Sequence, residues 1–361
     1  MKNKIILKKN DITDILGQEY KNLSDVISDK FGVINAIMER HELDEYGLKM
    51  FQCLSADTRI LFNLKRDVSS GGLGISKNKQ EALVGCIAEA IERYCMSYIP
   101  KAELYKEYWD KLDKEHKVKN FHLYSEKQYS DYTNFLNPMK DKILWTKMYN
   151  LNEDKYIYWP ASLVYLPFEI DKPVAELTST GMAAGTSIEM SIQSGLLELI
   201  ERDSLMINFK QRLNPPEIDL NTIENKEVKQ LISKIKEEYN IKTYKLYTDL
   251  KVPTYLSYIW NKRGKEIHYG IGAATNLDSD ISIYKSLKEC LFTNFYSKNI
   301  MDLRKDNVDK INTLYEHFLY YQGSNFKDLL FDSKTIKYKH EVFSFDEIVE
   351  DLENRRNQYL L

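Results

Sequence analysis

Two short stretches of the sequence combine carboxylates and arginines at spacings that could hold a metal–phosphate complex. Both read Glu-x-x-Glu-Arg, and they comprise Glu89, Glu92, Arg93, Glu198, Glu201 and Arg202. On a helix, positions i, i+3 and i+4 share one face, so each set forms a polar stripe. Magnesium prefers carboxylate and phosphate oxygens, and arginine suits bidentate contact with phosphate. Two facing stripes would therefore supply four carboxylates and two guanidinium groups to magnesium ions and a triphosphate.

The sequence around both stripes is strongly apolar. Leu83 and Ile87 precede the first stripe, and Leu197 and Ile200 surround the second. A helix that is apolar on most sides is normally buried, and a buried carboxylate ionises only beside a cation or takes up a proton. A single stripe of this kind is usually a solvated helix face. Two copies, each within apolar sequence, favour a binding site over a solvated helix face.

The stripes belong to an internal repeat in which a Gly-rich turn precedes each helix. Gly74 lies fifteen residues before Glu89, and Gly185 lies thirteen residues before Glu198, so the two spacings differ by two residues. A weaker third copy runs from 270 to 274 and is followed by a segment that contains Lys288 and Glu289. Backbone N–H groups at such turns can bind phosphate, although no Walker A motif occurs. The repeat predicts pseudo-symmetric halves that share one site.

Hydrophobic periodicity predicts where the helices and strands lie. Long helical patterns cover 79–99, 188–209, 228–238 and 281–295, and shorter ones cover 12–16 and 23–27. Strand patterns cover 156–167, 243–248, 254–260 and 268–271, with a hairpin turn expected at 261–264. This alternation indicates an α/β or α+β fold. No linker divides the chain, so we predict one domain over 1–361, with an N-terminal helical segment at 1–45 and a core at 46–361.

Charge and cysteine content exclude several classes of function. The net charge is −3 with basic and acidic residues interspersed, which gives no reason to expect a nucleic-acid partner. No stretch has the length of a membrane span or of a signal peptide, so a cytoplasmic protein is expected. The four cysteines show no metal-ligand spacing and are predicted to be free thiols: Cys53, Cys86, Cys95 and Cys290.

At these motifs the sequence resembles the YcaO superfamily, whose marks are SxxExxER, QxxxExxER and a C-terminal PxPxP. The two matching stretches are GGLGISKNKQEALVGCIAEAIERY and TSTGMAAGTSIEMSIQSGLLELIERD, and 30–35 resembles the start of streptolysin-type cyclodehydratase D proteins. The resemblance spans roughly 25–300. It implies an α+β domain with pseudo-symmetric halves, helices packed on mixed β-sheets and an ATP site between the halves.

The resemblance implies an ATP- and Mg²⁺-dependent peptide cyclodehydratase. In this family a Cys, Ser or Thr side chain of a precursor peptide attacks the preceding carbonyl, the oxygen is phosphorylated by ATP, and loss of phosphate leaves a thiazoline or oxazoline ring. The implied metal ligands are Glu89, Glu92, Glu198 and Glu201. The implied nucleotide-binding residues are Ser70, Gly72, Gly74, Cys86, Arg93, Ser179, Ser194 and Arg202. No catalytic base is assigned.

Several positions depart from the family pattern. Cys86 stands where the first motif has Ser, Ser194 where the second has Gln, Thr178 where Asn is usual and Leu73 where many members carry Lys. There is no PxPxP, and 357–361 read as an apolar, strand-like terminus, which suggests a truncated or short member. Two alternatives stay open: an enzyme that forms thioamides or amidines, and a non-catalytic scaffold that binds ATP or peptide.

The resemblance also implies partners. We expect a precursor peptide, a separate ThiF-like or leader-binding protein, and in such systems often an FMN-dependent azoline dehydrogenase. Family members often form homodimers, so a homodimer is an option here too.

Overall fold

The computed structural model describes residues 4–65, 71–118, 123–131, 134–263, 268–301, 320 and 329–359. Its strands are β1 (Lys4–Ile6), β2 (Ile34–Arg40), β3 (Lys49–Ser55), β4 (Leu73–Ser76), β5 (Tyr105–Glu107), β6 (Ile143–Asn150), β7 (Lys155–Pro160), β8 (Glu217–Asp219), β9 (Tyr239–Lys245), β10 (Thr254–Asn261), β11 (Tyr269–Thr275) and β12 (Thr335–Lys337). Its α-helices are α1 (Lys9–Leu16), α2 (Thr58–Phe62), α3 (Lys79–Ser97), α4 (Glu126–Asp131), α5 (Ile188–Lys210), α6 (Lys226–Glu238), α7 (Ser279–Met301) and α8 (Phe345–Tyr359).

The strands form three separate open sheets. The first has the order β1-β2-β3-β4 and is antiparallel throughout. The second has the order β11-β10-β9-β8-β12 and is mixed, because β12 runs parallel to β8. The third is the antiparallel meander β5-β6-β7. Helices packed on open sheets confirm the predicted α+β class.

The long helices begin at the residues that cap them. The side chain of Asn78 accepts hydrogen bonds from the first-turn amides of α3, and that of Ser187 accepts one from Met190 N in α5. Such caps satisfy amides that a helix leaves unpaired at its start. The four predicted long helices are confirmed, three of them to within two residues at each end, whereas α7 extends six residues beyond its predicted end. Apolar periodicity therefore located the two helices that carry the stripes, and the caps explain where each helix begins.

The first sheet is buried on both faces. Met50 of β3 belongs to a core formed with α6, α7 and β10, whereas its neighbour Phe51 belongs to a second core formed with α1 and α3. Successive side chains of a strand point to opposite faces, so β3 separates the two cores. This sandwich places α3 and α7 on opposite sides of β3, and it ties the first sheet to the second through the shared α7 core.

Several local predictions differ from the structure. Within 1–45 the predicted helix at 12–16 lies in α1, but the same segment also provides β1 and β2. The strand predicted over 156–167 ends at Pro160, after which the chain makes a 3₁₀ turn. The strand-like reading of the C-terminus is wrong, because α8 continues through 359. The hairpin turn predicted at 261–264 ends outside the described residues.

The helix α8 packs on the helix that carries the second stripe. Ile348 of α8 is buried beside Leu197 and Ile200 of α5. Ile348 and Leu352 of α8 gain burial against α5, and this contact between distant parts of the chain is not revealed by local sequence patterns. No helix among the described residues is long and apolar enough to cross a membrane.

Candidate functional site

Two strand–helix units of the repeat are built on the same close contact. A Cβ atom on Gly74 would lie 1.8 Å from the carbonyl oxygen of Ala82 in α3, and one on Gly272 would lie 2.2 Å from the carbonyl oxygen of Ser286 in α7. Only glycine allows the backbones of strand and helix to approach so closely. The weak third copy of the sequence repeat is therefore a genuine structural copy, with β11 and α7 in the places of β4 and α3.

The register of the carboxylate differs between these two units. The amide of Leu73 donates to Glu89 Oε2 at 2.9 Å, whereas the corresponding amide of Ile271 donates to Thr293 Oγ1 at 2.9 Å. Glu289 lies one helical turn before Thr293, and it accepts a hydrogen bond of 3.0 Å from the amide of Ala273, two residues after Ile271 on β11. The third unit thus adds a carboxylate at a shifted position. Sequence reasoning noticed Glu289 in the repeat but gave it no role.

The second stripe is anchored in the same manner. Glu198 Oε2 accepts from the amide of Gly181 at 3.4 Å, and Glu201 Oε2 accepts from the amide of Thr275 at 3.3 Å. Because 275 is the last residue of β11, α5 is connected directly to the third unit. Each of these carboxylates keeps one oxygen on a backbone amide, which fixes its orientation.

The other carboxylate oxygens face the two arginines. In the first stripe, Arg93 lies 3.5 Å from Glu89 Oε1 and 3.9 Å from Glu92 Oε1. In the second, Arg202 lies 3.6 Å from Glu198 Oε1 and 3.5 Å from Glu201 Oε1. These distances are longer than a tight ion pair. The arginines therefore keep donors available for an anion, and the Oε1 atoms keep lone pairs available for a cation.

The two stripes face each other across the structure. Burial raises the pKa of Glu92 to about 7, and the negative charges of Glu89 and of Glu198 on the facing helix add to the shift. Burial also raises the pKa of Glu201 to about 7, helped by the charge of Glu289. The amides of Ala273 and Thr275, two residues apart on β11, hold Glu289 of α7 and Glu201 of α5. These carboxylates therefore lie side by side, and the charge effect of Glu198 on Glu92 extends the cluster to α3. The side chains of Glu92 and Glu201 are only 16 % and 14 % exposed.

Two lysines on α7 add positive charge to this cleft. Desolvation lowers the pKa of Lys285, and the nearby charge of Glu201 opposes that shift. Burial lowers the pKa of Lys288 to about 8, and the positive charge of Lys285 contributes. Sequence reasoning gave neither lysine a role. The signal available was a pair of lysines three residues apart, directly before Glu289, in the middle of a long helix.

The residues predicted to bind nucleotide occupy different environments. Gly72 and Gly74 form the close contact with α3, and Arg93 and Arg202 lie in the cleft. Cys86 is fully buried, and its thiol donates to the carbonyl of Gly72 at 3.3 Å, so it acts on the Gly-rich turn and not on the cleft. Ser179 is half-buried in the turn before α5, Ser194 is exposed on α5, and Ser70 lies outside the described residues.

The glutamates do not close around one ion by themselves. Among the described residues, one group of three has ligand atoms all within 4.8 Å of one another: Asp278, Asp280 and His340 at the start of α7. Asp280 there accepts hydrogen bonds from Tyr338 and Asn225, and Asp278 accepts one from the amide of Asp280 at the start of α7, so both carboxylates already have partners. The wider spacing of the cleft glutamates suits ions that complete their coordination with phosphate oxygens, as Mg²⁺ does.

The residues present in the cleft fit Mg²⁺ and a triphosphate. Hard oxygen ligands, guanidinium groups and lysines converge where burial and mutual repulsion disfavour the ionised carboxylates. A cation would relieve that repulsion, and an anion would pair with the arginines. The donor set contains no soft ligand, because the buried thiol of Cys86 points to the turn.

A family profile described as YcaO cyclodehydratase, ATP- and Mg²⁺-binding, matches residues 73–358. The chain belongs to the YcaO family. The match begins at β4 and includes all three carboxylate-bearing helices, so the family assignment and the geometry of the cleft concern the same residues.

Known proteins similar to this YcaO chain include one curated sequence and several solved structures. An uncharacterized protein of Methanothermobacter thermautotrophicus is 24 % identical over 276 residues, which cover 72 % of this chain and 66 % of that protein. A heterocyclase in complex with substrate and cofactor is 19 % identical with a TM-score of 0.72, covering 98 % of this chain and 49 % of the heterocyclase. YcaO from Methanopyrus kandleri, bound with AMPPCP and Mg²⁺, is 16 % identical with a TM-score of 0.57, covering 92 % and 76 %.

These likenesses establish the fold. The chain spans about half the length of the heterocyclase and 66 % of the archaeal relative. What those longer proteins bind or make belongs to them, whereas the YcaO-like α+β fold is common to the solved structures and to this chain. The predicted family and fold class are confirmed.

Proposed function

We infer that this YcaO chain is an ATP- and Mg²⁺-dependent cyclodehydratase subunit that activates backbone amides of a precursor peptide to form thiazoline or oxazoline rings. The observation that carries the inference is the convergence of α3, α5 and α7, where Glu92 and Glu201 are held close to other carboxylates. Repulsion between these carboxylates does not stabilise the fold. It is expected where a bound cation would offset it. The AMPPCP and Mg²⁺ bound to the Methanopyrus relative support the same assignment.

The chain's own residues divide the work. Glu89, Glu92, Glu198 and Glu201 would hold Mg²⁺ through the oxygens that backbone amides leave free. Arg93 and Arg202 would bind phosphate oxygens, and Lys285 and Glu289 on α7 would complete the cleft. Bound ATP supplies the phosphoryl group that makes the amide oxygen of the peptide a leaving group. Fixing the reacting groups in a water-poor cleft is the main source of rate in such transfers.

The ring-forming step would need little from the protein beyond position. A Cys, Ser or Thr side chain of the peptide attacks the preceding carbonyl carbon, and the former carbonyl oxygen leaves as part of phosphate. For each ring formed, the peptide therefore loses one water, and one ATP is converted to ADP and phosphate. A heterocyclase of the same fold is bound with substrate and cofactor, which supports a heterocycle-forming reaction for this chain. We further propose that a separate leader-binding protein presents the peptide.

Calorimetry with Mg-ATP is the first test. We expect the wild-type protein to bind with micromolar affinity, and Glu92→Gln to weaken binding at least about a hundredfold, because a carboxylate that contacts a metal ion is worth several kcal/mol. Glu189→Gln is the matched control, since Glu189 lies on α5 in the exposed first turn. A folded wild-type chain that does not bind Mg-ATP would contradict the proposal and favour the scaffold alternative.

A turnover assay distinguishes azoline formation from thioamide formation, which a binding assay cannot do. Incubation with Mg-ATP, the leader-binding partner and a Cys/Ser/Thr-containing precursor should release phosphate and lower the peptide mass by one water per ring. A mass change that requires added sulfide would instead indicate thioamide formation.

A further inference from the structure

A lysine on α7 bridges the first sheet and the third strand–helix unit. Lys288 Nζ donates a hydrogen bond to the carbonyl oxygen of Ile75 at 2.7 Å. Ile75 lies on β4, which among the described strands is at the edge of the first sheet and pairs with β3 alone. A partly buried edge carbonyl needs a donor, and in this protein a charged side chain from another unit provides it.

The bridge lies between two anchored carboxylates. On β4, Leu73 is two residues before Ile75, and its amide holds Glu89 at 2.9 Å. On α7, Lys288 directly precedes Glu289, which is held by the amide of Ala273 at 3.0 Å. Any shift of the β4 edge relative to α7 would therefore change the separation between the carboxylates of the first and third units.

An ammonium group is an expensive way to satisfy one carbonyl. Burying it costs free energy, and the like charge of Lys285 one turn away adds to the cost. A neutral side chain or a water molecule could satisfy the same carbonyl more cheaply. The cost of burying Lys288 therefore favours a role in the site over a role in the hydrophobic core.

We propose that Lys288 is a positioning residue of the Mg-ATP site: it holds the edge of β4 against α7 and so sets the spacing of Glu89 and Glu289. That the ligand is Mg-ATP rests on the proposed function, whereas the bridge between Lys288 and Ile75 rests only on the contacts described above. Lys288 binds no phosphate in this role. It acts through the strand that orients Glu89.

The test compares Lys288, in the middle of α7, with a lysine near the C-terminal end of the same helix. Lys298 Nζ donates to the hydroxyl of Tyr239 at 2.6 Å, and it lies ten residues further on, about 15 Å along the helix axis. Lys288→Met should weaken Mg-ATP binding about tenfold, the usual scale for losing one charged hydrogen bond. Lys298→Met should change binding by less than about twofold, because its hydrogen bond is remote from the cleft.

Rescue and hydrogen exchange distinguish positioning from simple loss of stability. Lys288→Arg retains a cationic donor and should bind Mg-ATP within about threefold of wild type. The amide of Leu73 should exchange about tenfold faster in Lys288→Met than in wild type or Lys298→Met, because its strand edge is no longer held. If Lys288→Met does not fold, Lys288→Gln is compared in the same way.

The outcomes are separable from those for the proposed function. If wild-type protein does not bind Mg-ATP, that function fails, and the exchange of the Leu73 amide alone decides whether Lys288 holds the strand. Unchanged exchange in Lys288→Met overturns the proposal, whatever happens to binding. Faster exchange with unchanged binding overturns it as well, since the site would then tolerate a loose strand.

Discussion

Glu201→Gln is expected to make the ligand-free protein more stable and to abolish its binding of Mg-ATP. The carboxylate of Glu201 is 14 % exposed, and its pKa is raised to about 7 by burial and by the charge of Glu289. Glutamine removes the charge but keeps an oxygen that can accept from the amide of Thr275. The variant therefore loses an unfavourable ion without losing the hydrogen bond that orients the side chain.

The pH dependence gives the sign and size of this effect. The pKa of Glu201 is higher in the folded protein than in the unfolded chain, so the folded state binds the proton more tightly. The associated stability is complete below the ordinary glutamate pKa and is lost as the pH rises through about 7. At pH 8 the gain from Glu201→Gln should be on the order of 1–3 kcal/mol, and at pH 4 it should be close to zero.

Urea unfolding at both pH values and calorimetry with Mg-ATP check the two halves of this prediction. Glu189→Gln serves as control: hydrogen bonds from its own backbone and from Ser187 lower the pKa of Glu189, so that variant should gain no stability at pH 8. Proton release on Mg-ATP binding near pH 7, measured in buffers of different ionisation enthalpy, should be smaller in Glu201→Gln. A variant less stable than wild type at pH 8 would contradict the prediction.

The sequence predicted the helices of the site better than it predicted their arrangement. Local information sufficed for α3 and α5, because their apolar periodicity lies within the helices themselves. That the two stripes face each other was posed only as a condition for a shared site, and the structure supplied the arrangement. Which strands pair with which, by contrast, depends on contacts between distant residues. For this reason β1 and β2 were not distinguished within the first 45 residues.

The third unit shows why part of the site was missed. Its glycines repeat those of the first unit, but Thr293 occupies the position of Glu89, and the carboxylate is supplied one turn earlier by Glu289. A search for Glu-x-x-Glu-Arg cannot find a carboxylate in a shifted register. Only the amides of β11, which point away from β10 toward α5 and α7, reveal the equivalence. The same holds for α8, whose burial against α5 is invisible locally.

Gly74→Ala is expected to cost more stability than any conservative substitution in the helices of the site. Its Cβ would lie 1.8 Å from the carbonyl oxygen of Ala82 and 2.6 Å from the amide nitrogen of Cys86, both backbone atoms of α3. Neither can move alone, so β4 must separate from the helix. We expect a loss of about 3 kcal/mol or more in the free energy of unfolding, which is typical of overpacking against rigid backbone.

Gly85→Ala is the matched control on the same pair of elements. A Cβ on Gly85 has its nearest neighbour, the Cα atom of Gly74, at 3.9 Å, which is ordinary contact. Because Gly85 lies within α3, alanine should stabilise the protein by about 0.5–1 kcal/mol through its higher helix propensity. Urea unfolding measures both variants. If the two glycines gave similar changes, the close approach of β4 and α3 would be wrong.

The same contact connects stability to the site, because β4 carries the amide that orients Glu89. A folded fraction of Gly74→Ala should bind Mg-ATP more weakly than wild type, whereas Gly85→Ala should bind as wild type does. Gly272→Ala tests the equivalence of the units: with its Cβ 2.2 Å from the carbonyl oxygen of Ser286, it should lose stability on the same scale and disturb Glu289 instead of Glu89. Parallel losses would support two copies of one strand–helix unit, since the glycine is needed wherever a strand amide must reach a carboxylate on the helix packed against it.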